Sequence, residues 1–295
     1  MTELDKKINC IVCESNDHLS AHPYTLNYKE NIFEYRKCSN CNVTFLSPTP
    51  SEEMFSEIYS SNNYHAHHYD EVDTTSYDDS ASLLINHLRN DNPTILDYGC
   101  GFGHFITSLK NYPIETIGFE FDEKAASEAS SRTGSEVLSS RTLNLDKERK
   151  FDAIHLGDVL EHLPNPTQTL CELRTMLNGG GIIFIEGPIE DNASLVYFFS
   201  KLYLLVKKIL SPNLLRPGVP THLIRLTSNT QKKMLLNNLI GSKLIYWEVY
   251  ETGWPYLNNS FIKHVIGLLS IIISKIVPGN IFGNRFRAIL SFEDK

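Results

Sequence analysis

Six cysteines and eleven histidines are spread over the 295 residues, and a few of them stand at spacings that could do chemistry. Two residues separate Cys10 from Cys13, and two separate Cys38 from Cys41. That spacing lets both sulfurs of a pair turn toward one point. Four thiolates complete a tetrahedral shell around zinc, at about 2.3 Å each. A closed shell leaves no open position, so the expected role is folding and not reaction. A redox pair would need a single CxxC beside a βαβ unit, a setting neither pair has. Cys100 and Cys171 read as packing residues.

The second constellation is DYGCGFGHF, Asp97 to Phe105. Gly99, Gly101 and Gly103 permit backbone angles and close approaches that a Cβ would block. A dinucleotide site would want G-x-G-x-x-G, with a pyrophosphate on the helix N-terminus. Here the spacing is G-x-G-x-G, position 104 is His, and Asp97 in front would repel a pyrophosphate. The acid would instead welcome an ammonium group. Glu120, at the end of the next apolar run, is placed to hold ribose hydroxyls. A cationic amino-acid portion, a close backbone approach and a ribose together describe S-adenosylmethionine (SAM). The residues expected around it are Asp97, Gly99, Cys100, Gly101, Gly103, Glu120, Phe121 and Asp158.

A third group could move a proton. GDVLEHL carries Asp158, Glu161 and His162, and PTHLIRLTS carries His222. Histidine suits proton removal near neutral pH, so His222 or His162 is the expected base, with Glu161 and Tyr64 beside them. The packing alternatives are a helix-capping role for His162 and a loop position for His222. In HAHHYD, His65, His67 and His68 could hold a divalent ion, but a solvated or lid segment is the reading adopted, with Tyr64 reaching the cofactor from above.

These residues need elements to position them. TILDY, ETIGFEF, FDAIHL and GIIFIEG read as buried strands. HFITSLKN, DEKAASEASSR and PTQTLCELRTML read as the helices between them. The alternation predicts a parallel sheet covered on both faces. Residues 1–50 form the expected zinc ribbon and 51–92 a linker or lid. Residues 93–295 form the catalytic domain, with helices inserted at 192–218 and 255–283. In the second insertion Lys263, Gly267, Ser270 and Ser274 make a narrow polar stripe on an otherwise apolar helix.

Hydrophobic residues make up 41% and charged residues 21%, which excludes a disordered chain. MTELDKKINC lacks the apolar core of a signal peptide, and no apolar run reaches the length of a span. A cytoplasmic setting with reduced thiols is expected, with contact at the inner face of a membrane as an option. The net charge of −8 is uneven. Residues 1–191 hold 14 Lys and Arg against 31 Asp and Glu, a net −17, while residues 192–295 hold 13 against 4, a net +9. The basic third either pairs with the acidic part or meets an anionic partner.

On ILDYGCGFGHF, IGFEFDEKAASEA, FDAIHLGDVLEHLPNP and LNGGGIIFIEGP, the chain resembles the class I SAM-dependent methyltransferases. PTHLIRLTSNTQKKMLLNNLI, KLIYWEVYE and RFRAILSF are similar to that family's closing helix and last two strands. The resemblance runs from about Ile95 to Phe292 and implies a Rossmann-like seven-stranded α/β fold. With the cysteine pairs in front, the chain resembles a subgroup with an N-terminal zinc ribbon whose members methylate sugars. That implies a small-molecule or glycan acceptor, nucleotide-linked or lipid-linked, and a histidine near position 222 lying over it. Several members have Glu before that histidine, where this chain has Thr221. The alternatives are an RNA methyltransferase, a quinone-like small-molecule O-methyltransferase and a non-catalytic scaffold. The acidic first two-thirds argues against nucleic acid, and an oligomer is an open option.

Overall fold

The computed structural model describes residues 8–60, 75–139, 149–212, 215–254 and 260–293. Tyr64, His65, His67 and His68 lie outside the described residues.

Two sheets organise the chain. The larger has seven strands among the described residues: β4 (Thr94–Tyr98), β5 (Glu115–Glu120), β6 (Glu136–Ser139), β7 (Phe151–Gly157), β8 (Leu177–Pro188), β11 (Ser242–Tyr250) and β12 (Arg285–Phe292). Their order is β11-β12-β8-β7-β4-β5-β6. β6, β5, β4, β7 and β8 are parallel neighbours, and β12 runs antiparallel between β8 and β11. A sheet covered on both faces needs strands apolar throughout. Ile95, Leu96, Ile154, Phe151 and Phe184 accordingly have no exposure, and burying each side chain stabilises by roughly 1.5–3 kcal/mol. Around β4 the chain turns to opposite sides, with β5 on one flank and β7 on the other. Sheets of this type bind ligands in the crevice at such a switch point.

The helices between the strands are cut by local signals. In α4 (Glu123–Thr133), Asp122 accepts from the Ala125 amide at 2.8 Å, and Gly134 closes the C-terminus at φ +65°. The others in this part are α3 (His104–Leu109) and α5 (Pro166–Thr175), which has proline in its first turn.

The smaller sheet contains β1 (His18–Tyr28), β2 (Asn31–Cys38) and β3 (Thr44–Ser47), an antiparallel meander. Its two edges are sealed from far along the chain. β9 (Arg216–Pro217) pairs with β1, and β10 (Ile224–Arg225) pairs with β3. Open edges invite foreign strands, and one ten-residue segment closes both here. The ribbon expected in residues 1–50 thus shares its sheet with residues 216–225. Cys10, Cys38, Val43 and Phe45 belong to the same apolar core as Leu156, Leu160 and Ile224.

Residues 51–92 contain two helices among the described residues, α1 (Glu52–Ser60) and α2 (Thr75–Ile85). α7 (Ser228–Asn238) opens on a Thr227–Thr230 capping box. The helices expected in the two insertions are α6 (Leu195–Leu210) and α8 (Phe261–Ile276), capped by Ser194 and Ser260. The polar stripe of α8 faces the protein. Ser270 is fully buried and donates to Glu251 Oε2 at 2.9 Å, and Gly267 packs on Gly253 and Trp254. The apolar side chains Phe261, Ile262, Leu268, Leu269, Ile272 and Ile276 face outward.

Candidate active site

The C-terminal ends of β4, β5 and β7 border an open cavity of about 470 Å³, within the range of small-molecule sites. Gly99, Glu120, Phe121, Asp158 and His162 line it, together with Phe55 and Tyr59 of α1. Phe55 and Tyr59 are one helical turn apart and stacked, with ring centroids at 5.6 Å. Tyr59 also meets His162 edge-on at 6.0 Å.

The glycine turn holds φ values of +81°, +52° and +78° at Gly99, Gly101 and Gly103, a region L side chains avoid. Two of these glycines make room for the protein itself. A Cβ on Gly99 would collide with Val159 Cγ2, and one on Gly103 would meet Thr133 Cγ2 at 2.7 Å. The Gly101 amide donates to Glu120 Oε2 at 2.8 Å, and the Asp122 amide donates to Oε1 at 3.1 Å. Those two backbone donors fix the Glu120 carboxylate at the cavity wall. Cys100 turns its thiol into the core, against Ile106, Ala129 and Gly118, so only its backbone belongs to the turn.

Asp97 differs from the sequence-based expectation. Its carboxylate is 2% exposed and faces inward, where His155 Nδ1 donates to Oδ1 at 2.8 Å. The other side of His155 meets Glu186 Oε1 at 3.3 Å, and Glu186 Oε2 accepts from Ser80 and from Arg287 Nε. Burial opposes a charge on His155, but the hydrogen bonds and charges of Asp97 and Glu186 outweigh it and push its pKa up to about 9. Burial likewise opposes ionisation of Glu186, but His155 and Arg287 hold it down at about 2. Asp97 therefore sits beneath the turn in a nearly charge-balanced network. Its Oδ1 is taken by His155, while the buried Oδ2 has no hydrogen-bond partner among the described residues. His155 and Glu186 carried a signal, as charged residues inside otherwise apolar strands, that spacing arguments passed over.

Beyond β7, Asp158 takes φ +54° and is held by Arg285 through both oxygens, at 2.8 and 2.9 Å. Glu161 and His162 follow on a single 3₁₀ turn, Leu160–His162. The segment between β9 and β10 docks there. The Leu223 amide donates to the Glu161 carbonyl at 2.7 Å, and His162 Nδ1 donates to the Thr221 carbonyl at 2.8 Å. The two expected bases are thereby brought together, with the His162 and His222 ring centroids 4.7 Å apart. His222 Nδ1 is bound to Glu190 Oε2 at 3.0 Å, and Arg225 Nε lies 3.1 Å from the same oxygen. Burial lowers the basicity of His222, but Glu190 more than offsets that and raises it. Glu161 is 7% exposed, and burial together with the Asp158 charge pushes its pKa up to about 8.

Residues 75–196 match the family model of a methyltransferase domain. A tRNA U34 carboxymethyltransferase from Campylobacter curvus is 30% identical over 118 residues, covering 37% of this chain and 39% of that protein. A mitochondrial ubiquinone biosynthesis O-methyltransferase from Dictyostelium discoideum is 27% identical over 127 residues, covering 37% and 40%. The chain thus spans about two fifths of the length of these curated relatives. In overall fold it is similar to the magnesium protoporphyrin IX methyltransferase of Synechocystis PCC 6803, solved with bound S-adenosylhomocysteine (SAH). The TM-score is 0.52 at 13% identity, over 82% of this chain and 100% of that one. The plantazolicin methyltransferase BamL, also with SAH, gives 0.52 at 16% identity, over 82% and 95%. The chain carries a SAM-dependent methyltransferase domain of class I fold.

The methyltransferase domain fits its cofactor at the observed cavity. Glu120 is aimed by backbone donors, Gly99 brings the chain close, and Phe121 and Tyr98 add ring surface. In front of the domain the four cysteine sulfurs gather. Cys10 and Cys41 are 3.6 Å apart, Cys13 and Cys38 are 3.5 Å apart, and all four lie within 4.8 Å of one another. Zinc–sulfur bonds of about 2.3 Å in a tetrahedron put sulfurs about 3.8 Å apart, so the cluster fits zinc.

Proposed function

We propose that the protein transfers a methyl group from SAM to an oxygen of a hydroxylated small molecule, a sugar carried on a nucleotide or a lipid. The observation that carries this is the meeting of Glu161, His162 and His222 beside the cavity that Glu120 and Gly99 line. Bound SAM supplies a methyl carbon on a sulfonium, with the thioether as leaving group. The residues of this chain have to align an acceptor and relieve it of a proton. Asp158 and His162 give the cavity a polar wall, with Glu161 and His222 behind His162, and Phe55 and Tyr59 give it a ring surface. The sugar assignment is supported by the cysteine cluster in front of the domain and by its likeness to ribbon-bearing sugar methyltransferases. The test is transfer of labelled methyl from SAM to nucleotide-linked sugars, a quinol and bulk tRNA, side by side. Label in the sugar is expected. Label only in the quinol or the tRNA would overturn the assignment.

A lipid-linked acceptor is favoured by α6 and α8, and we propose that they rest on an anionic membrane surface. Phe198, Leu202, Tyr203, Ile209 and Leu210 of α6 are exposed, as is the outward face of α8. Lys207, Lys208 and Lys275 stand on the same two helices. Apolar burial plus basic residues is the signature of interfacial binding. No helix among the described residues is long and apolar enough to cross a membrane. Sedimentation with phosphatidylglycerol vesicles should carry the protein down, and neutral vesicles should carry less. Dimerisation through this face without vesicle binding would refute the membrane reading. The closed cysteine cluster is proposed to hold one structural zinc.

A further inference from the structure

We infer that Glu161, His162 and His222 form an open site for a first-row divalent cation. One donor atom from each of the three lies within 4.8 Å of the others. Two imidazoles and one carboxylate are a known donor set for such ions, leaving coordination positions open. Proximity alone would be thin support. The surroundings supply the rest.

Each histidine has its Nδ1 committed elsewhere. His162 Nδ1 is tied to the Thr221 carbonyl at 2.8 Å, and His222 Nδ1 to the Glu190 carboxylate at 3.0 Å. Metal-binding histidines characteristically engage a carbonyl or carboxylate with the far nitrogen, which fixes the tautomer and leaves a lone pair on Nε2. Here one histidine has each kind of partner. His162 Nε2 lies 3.7 Å from Glu161 Oε1, too long for a hydrogen bond and suited to two ligands of one ion. Glu161 is buried, and among the described residues its only ion pair within 4 Å is that contact with His162. Asp158 is engaged by Arg285 through both oxygens, and His162 lines the cavity from which an acceptor would approach.

The backbone holds this arrangement with unusual redundancy. The Leu223 amide reaches the Glu161 carbonyl, the Tyr35 hydroxyl donates to the His222 carbonyl at 2.9 Å, and β10 is paired to β3. The residues beyond β7 and those of the 218–225 segment are thereby tied together by backbone contacts. The link to catalysis rests on the methyl-transfer reading above. The ion would bind the acceptor hydroxyl and favour its ionisation. Its proton passes to water, oxygen bonds to the methyl carbon, and the departing sulfur keeps the electron pair of the broken bond. The binding of the ion does not depend on that reading.

The test uses the full chain and Mn²⁺ alone. Four thiolates select soft metals, so the hard ion does not compete for the cysteine cluster. Titration is followed by the loss of the free Mn²⁺ electron paramagnetic resonance signal. One Mn²⁺ per chain is expected. His222→Ala and His162→Ala should each weaken binding at least tenfold, and Glu190→Gln, which removes only a supporting carboxylate, by about 10- to 100-fold. Calorimetry with SAH on the same samples serves as the check on folding. SAH affinity within twofold of the parent, with weakened Mn²⁺, supports the site. No Mn²⁺ uptake by the parent chain, or equal uptake in a His222→Ala protein that still binds SAH, overturns it. Mn²⁺ uptake without SAH binding would leave the ion site standing and remove the methyl-transfer reading.

Discussion

Two clusters of donor side chains differ in kind, Cys10–Cys13–Cys38–Cys41 and Glu161–His162–His222. The cysteine cluster is made of four identical side chains with their sulfurs facing one another. The Glu161–His162–His222 cluster has three donors of two kinds and meets the cavity through His162. The first closes around its centre, which is the arrangement of a structural site. The second leaves space for a reactant. Their supports differ in the same way. The cysteines are held by two local knuckles, whereas the histidines are held by named carbonyl and carboxylate partners drawn from distant chain. A site for folding needs only its ligands, while a site for chemistry needs its ligands aimed.

The largest expected effect breaks the closed cluster. Cys38 is fully buried at the end of β2, and Cys38→Ser should release the zinc and lower the melting temperature sharply, since structural zinc contributes several kcal/mol or more. Metal analysis and calorimetry would show it. Because β3 carries β10, activity should fall with the fold. A variant that loses zinc but keeps full melting temperature would mean that the closed cluster does not hold the fold, and the contrast with the open one would fail.

Next comes the open cluster. His222→Ala should reduce turnover on the order of 10²- to 10⁴-fold while leaving SAH affinity in place. Single-turnover transfer of labelled methyl separates the two. Unchanged turnover would make the cluster structural as well and erase the contrast.

A smaller effect belongs to Glu120, whose carboxylate is aimed by Gly101 and Asp122 amides. Glu120→Ala should weaken SAH by about 1.5–3 kcal/mol, the scale of a charged hydrogen bond, with little change in Mn²⁺ affinity. Calorimetry with each ligand in turn reads both numbers, and a matched loss would show the sites to be one.

The smallest is a pH window. His155 has its folded pKa raised to about 9, so its contribution is full below its ordinary value and fades as pH rises through 9. Glu186, held at about 2, contributes above its ordinary value and fades as pH falls toward 2. Denaturant melts across pH should give a plateau between those limits. Glu186→Gln should shrink its acid side, and an unchanged profile would show that the network does not set it.

Much of the sheet was readable from composition. β4, β5, β7 and β8 are mostly apolar, as strands covered on both faces require, with Asp97, His155 and Glu186 as charged interruptions. The cysteine pairs were readable because their geometry is local. Two features were not. β9 and β10 are two residues each and exist only through partners near positions 26 and 45, so no periodicity announces them. Asp97 was legible as an acid before a glycine turn, but its direction depends on His155, 58 residues later. The approach of His222 to His162 depends on both kinds of information, which is why the sequence offered two separate candidates where the structure has one cluster.

The sealing of the small sheet also sets a schedule. Phe45 pairs with Ile224, so on a growing chain β3 waits for a partner nearly 180 residues away. At synthesis rates of about 5–20 residues per second, that is a delay of roughly 9–36 s. Through that interval the four thiols are already outside the ribosome beside two unsealed edges. The cysteine-bearing unit is therefore made well before its sheet is completed, and its exposure to stray oxidation or stray pairing is decided by how fast the ribosome reaches residue 225.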